Sequence, residues 1–73
     1  MKMSRMNEGE SAVLRRLECP NAFARRLREM GFVEGERVTC VRIATLKSPI
    51  LFHIKGADIA LRKCDAARLE VSR

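Results

Sequence analysis

Seventy-three residues suffice for one compact domain and not for two, and a composition of 47% hydrophobic and 33% charged residues excludes a disordered chain. Fifteen basic residues against nine acidic ones give a net charge of +6, which favours acidic partners such as nucleic acid, an anionic membrane surface or an acidic protein patch. No apolar run approaches the ~18 residues of a membrane span and Met1–Glu8 has no apolar signal core, so the expected location is cytoplasmic.

In chain order, Gly9 precedes Ala12-Val13-Leu14-Arg15-Arg16-Leu17, a first strand with Ala12 and Leu14 on one face and an irregularity before Leu17. Asn21 after Pro20 is the expected N-cap of the only helix, Ala22 to Met30, whose apolar stripe reads Phe23, Leu27, Met30. Gly31 supplies the left-handed residue that ends the helix, and Phe32 folds back onto its last turn. The glycine turn at Gly35 leads into Arg37–Ile43, rich in β-branched residues and read as a second strand.

Lys47-Ser48-Pro49 forms a loop, after which Ile50, Phe52 and Ile54 alternate with Leu51, His53 and Lys55 as a half-buried third strand. Gly56 turns it into a fourth strand over Asp58–Arg62, Asp65-Ala66-Ala67 makes one helical turn, and Leu69 and Val71 mark a fifth strand. Five strands in so short a chain leave costly edges unless the sheet curls. The expected fold is therefore mainly β, a small SH3-like barrel with one helix between strands one and two and a single domain over residues 1–73.

Catalytic and metal chemistry find little support. Cys19, Cys40 and Cys64 are odd in number, far apart and without a C-x-x-C pair, so neither a disulfide framework nor a zinc site is expected, and no metal ligand or cofactor is assigned. The only histidine, His53, sits out of phase with Ile50, Phe52 and Ile54 and faces solvent, away from any nucleophile it could activate. The acidic residues are dispersed, and no glycine loop cradles phosphate. An enzyme is not expected. Arg15-Arg16, Arg25-Arg26-Arg28 and Arg62-Lys63 could meet nucleic acid. With three Phe, no Tyr and no Trp, however, the chain has no stacking platform to spare, and no nucleic-acid partner is expected. The same shortage argues against a proline-ligand groove.

Together these features leave a binding module. Its expected contact residues are Arg25 and Arg26 on the helix, and Leu46, apolar among polar loop residues, with Pro49.

Gly9-Glu10, Arg26-Leu27-Arg28-Glu29-Met30-Gly31-Phe32, Gly35 with Val38, Pro49-Ile50, Ala60-Leu61-Arg62, Ala66 and Leu69-Glu70-Val71 occur in an order that spans nearly the whole sequence. In this the chain resembles the FeoA family, small accessory proteins of bacterial ferrous iron uptake. It departs from that pattern at Thr45, at Lys47-Ser48 and at Asp65. The resemblance implies an SH3-like barrel without catalytic residues. It also implies a partner, the FeoB-type membrane ferrous iron transporter with its cytoplasmic GTPase domain, through which the chain would reach the inner face of the membrane. A related domain is fused to metal-dependent repressors; the free-standing accessory form is the expectation here.

Overall fold

The computed structural model describes residues 1–73. Five antiparallel strands, β1 (Ser11–Leu17), β2 (Arg37–Ile43), β3 (Ile50–Ile54), β4 (Ala57–Leu61) and β5 (Leu69–Ser72), form one sheet in the order β4-β3-β2-β1-β5. The helix α1 (Asn21–Met30) lies between β1 and β2 in the chain, as expected. A second helix, α2 (Lys63–Ala66), joins β4 to β5 and begins two residues earlier than the turn read from the sequence.

The strands alternate as their sequences require. Ala12 and Leu14, Val38 and Cys40, Ile50, Phe52 and Ile54, Leu61, and Leu69 and Val71 are buried in one cluster that contains no polar or charged residue. Residues of both end strands meet in that cluster, so the sheet curls around a single core. β4 and β5 share no ladder. Instead, the Met1 and Val71 backbones exchange hydrogen bonds and Lys2 bridges Glu70, which covers the outer edge of β5. Pairing slips between Leu14 and Arg16, the irregularity expected before Leu17, and again between Cys40 and Arg42.

Phe32 and Phe52 meet edge to face at the centre, with ring centroids 6.4 Å apart and planes at 86°. Phe32 is delivered there by the end of α1. Its N–H donates to the Leu27 carbonyl at 2.9 Å and the Gly31 N–H to the Arg28 carbonyl at 3.0 Å, the paired bonds of a Schellman motif. Gly31 holds φ at +116°, and a Cβ built there would meet Ile54 and Lys55 at an ordinary 3.7 Å. The space is free and the backbone is not. Gly31→Ala should therefore destabilise by about 1–2 kcal/mol through left-handed strain, and thermal unfolding should fall by roughly 5–15 °C. An unchanged melting temperature would contradict this account of the helix end.

Two expectations need correction. Asn21 is the first helical residue and not the cap: Pro20 holds the cap position, its carbonyl accepts the Ala24 N–H at 2.9 Å, and no side chain caps the helix. Proline's extended conformation before the helix suffices to start it. The buried stripe of α1 is Ala24 and Leu27 with Phe23 at its margin, while Met30 is 42% exposed. At 100° per residue Met30 lies about 60° from Leu27 on the side away from Ala24, which turns it off the core. The first residues, to which the sequence assigned no element, are also structured: a short 3-10 helix, Met3–Arg5, buries Met3 within the core, and Met6 follows it there.

Candidate partner-binding surface

The outward side of α1 carries Arg25, Arg26, Arg28, Glu29 and Met30, all exposed. Arg28 is committed: its guanidinium donates to both carboxylate oxygens of Glu34, at 3.2 and 2.8 Å, and so ties α1 to the turn before β2. These hydrogen bonds hold the Glu34 carboxyl below the ordinary carboxylate range. Arg25 and Arg26 form no ion pair. Asn21, Arg25, Arg28 and Glu29 line an open groove of about 470 Å³ without an apolar wall. Arg26 and Met30 are one turn apart, so the helix offers a positive charge beside an exposed thioether. Met30 is the contact candidate that sequence reasoning missed, because it was read into the core.

Between β2 and β3 the chain makes a tight loop. The Ala44 N–H donates to the Pro49 carbonyl at 3.1 Å and the Lys47 N–H to the Ala44 carbonyl at 2.7 Å, which places Leu46 at the tip with 88% of its surface exposed. Pro49, also exposed, follows a cis peptide bond from Ser48. The Ser48 hydroxyl accepts the Lys63 N–H at 3.1 Å and anchors the loop to the start of α2.

The four expected contact residues therefore fall into two sets. The C-terminal end of α1 lies against Ile54, the last residue of β3, whereas the Leu46 loop joins β3 at its first residue, Ile50. Arg25 shares its groove with Arg28 and Glu29, and Lys47 of the loop shares a different one with Arg5 and Lys63. The structure does not bring the two sets together on one face.

The chemistry-bearing residues are scattered. His53 is exposed, with Nδ1 2.6 Å from Asp58 Oδ1. Cys40 is buried, and burial, with Glu8 and Glu10 adding negative charge, pushes its thiol up. Cys19 is half-buried and Cys64 exposed, and no three His, Cys, Asp or Glu side chains group as metal ligands. No helix is long and apolar enough to cross a membrane.

A model of the FeoA domain matches residues 1–73. The chain belongs to the FeoA family, that of ferrous iron transport protein A. Members of this family are non-catalytic accessory proteins. Among similar proteins, a fusion of Fe(2+) transport protein A with the Fe(2+) transporter FeoB from Porphyromonas gingivalis is 39% identical over 71 residues. Those residues are 97% of this FeoA chain and 8% of the fusion protein, so the chain spans a small part of that relative.

Among solved structures, iron(II) transport protein A from Clostridium thermocellum superposes with a TM-score of 0.93 at 40% identity, covering 99% of this chain and 44% of that one. Stenotrophomonas maltophilia FeoA, described as a procaryotic SH3 domain protein and complexed with zinc, gives 0.81 at 37% identity over 99% and 89%. The fold here is thus the SH3-like FeoA fold. The zinc belongs to that structure, and this chain's dispersed donors do not offer a grouped site for it.

Proposed function

We propose that this FeoA domain is an accessory protein of ferrous iron transport that acts by binding the cytoplasmic GTPase region of a FeoB-type membrane transporter. The observation that carries this reading is the Porphyromonas gingivalis relative, in which a module 39% identical to this chain over 71 residues is joined to FeoB in one polypeptide. Fusion raises the effective concentration of one module at the other, which has value only where the two meet. The domain is then cytoplasmic and reaches the membrane through its partner.

The contact residues in this proposal are Arg25 and Arg26 on α1 and Leu46 and Pro49 on the loop. Both sets are exposed, and the two arginines form no ion pair. An isolated leucine at 88% exposure contributes nothing to the core; burying it against a partner gains its full apolar area. Leu46→Asp should weaken capture of the detergent-solubilised transporter by about 30-fold, and Arg25→Glu with Arg26→Glu by roughly tenfold, most of it through slower association. Capture of both variants at wild-type level would remove these residues from the contact. RNA is the poorer partner: Phe32 and Phe52 are buried and Phe23 packs on the core, which leaves no ring for a base to stack on.

A further inference from the structure

A second groove, at the Leu46-loop end of the barrel, is lined by Ser4, Arg5, Met6, Asn7, Ile43, Lys47 and Lys63 and encloses about 240 Å³. Three cations converge on it from three separate parts of the chain, and no carboxylate is among the lining residues. None of the three forms an ion pair. Of the nearby acids, Asp65 accepts from the Arg62 guanidinium at 3.0 Å, whereas Glu8 accepts the N–H of Ile43, itself a lining residue, at 2.7 Å; its one negative charge leaves the three cations in excess. Three like charges around one cavity repel each other, so the fold gains nothing from the arrangement.

The groove is also held in shape. Arg5 stands between Met3 and Met6, both buried, and its own N–H donates to the Lys2 carbonyl at 3.0 Å. Lys47 and Lys63 are tied by the bond from the Lys63 N–H to the Ser48 hydroxyl at 3.1 Å. Lys47 has φ at 68°, a left-handed conformation that side chains other than glycine and asparagine rarely adopt.

We infer that this groove binds a phosphoryl group. A phosphoryl group carries one to two negative charges and several acceptor oxygens, which suits one guanidinium fork, two ammonium point charges and the neutral donors of Ser4 and Asn7. The volume of about 240 Å³ accommodates a phosphoryl head group. Such a group is presented either by an anionic phospholipid or by a soluble phosphate, and the chemistry of recognition is the same for both.

The test uses the full chain labelled with nitrogen-15. Inorganic phosphate is titrated while the amides of Ser4, Arg5, Lys47 and Lys63 are followed, and in a parallel arm the chain is sedimented with phosphatidylglycerol or phosphatidylcholine vesicles. The comparison is between Arg5→Gln/Lys47→Gln/Lys63→Gln and Arg37→Gln/Lys55→Gln/Arg68→Gln. The latter removes the same charge from exposed residues outside the groove, and the amide spectrum itself reports that each variant is folded. The groove variant should lose about 100-fold in affinity and the other variant far less. Phosphate shifts at the groove without vesicle binding assign a soluble source, and phosphatidylglycerol-selective sedimentation assigns the lipid. Equal losses in the two variants, or no response to either probe, would overturn the inference.

Discussion

Phe52→Ala is expected to cost about 3–5 kcal/mol and to leave much of the chain unfolded at 37 °C. Phe52 sits in the middle of β3, paired with Cys40 on β2 and Ile59 on β4, and is fully buried. Truncation removes its area and the edge-to-face contact with Phe32, and the surrounding strands cannot collapse into the void because their hydrogen-bonded register holds them apart. A chain of this length has a total stability on the order of 4–11 kcal/mol, so one ring is a large fraction of it. Urea unfolding followed by circular dichroism reads the loss directly. A cost under about 1 kcal/mol would mean that the core is not organised around the aromatic pair.

Met3→Ala with Met6→Ala should be at least as damaging, at about 4 kcal/mol or more. Each truncation of a buried methionine costs roughly 2–5 kcal/mol, and two residues in one cluster need not add. Both side chains are within the core, although the segment that carries them has only one turn of 3-10 helix. The same change at Met30, 42% exposed on α1, should stay within about 0.5 kcal/mol. The contrast between the two methionine sites separates packing from any general effect of losing a thioether. Equal costs at the two sites would contradict the burial described here.

That contrast also marks the limit of what the sequence discloses. The alternation of Ile50, Phe52 and Ile54 is legible because a strand has period two and one face is buried, and the Met-Gly-Phe helix end is legible because few residues tolerate a left-handed backbone. The bulge before Leu17 could be anticipated from the break in alternation between Leu14 and Leu17. By contrast, nothing local distinguishes Met3 and Met6 from Met1 and Met30. Their burial depends on where the curled sheet leaves a gap, which is a property of the assembled barrel. The cap position was misread because Pro20 and Asn21 both suit a helix start and only the backbone decides between them.

The candidate surface was legible in its parts and not in its arrangement. Leu46 could be singled out as an apolar residue in a polar loop, and its exposure is that of a loop tip. That α1 and this loop belong to opposite ends of β3 follows only from the topology. The groove of Arg5, Lys47 and Lys63 draws on residues 58 positions apart in the chain, beyond the reach of any local pattern.

The central claim is tested most directly by calorimetric titration of the reduced chain into the cytoplasmic GTPase region of a FeoB-type transporter and into the whole transporter in detergent, with and without nucleotide. Saturable binding at physiological salt to one or both is the expected result. No heat and no capture with either form, under conditions where the chain is folded, would contradict it and would leave an SH3-like FeoA domain whose partner lies elsewhere.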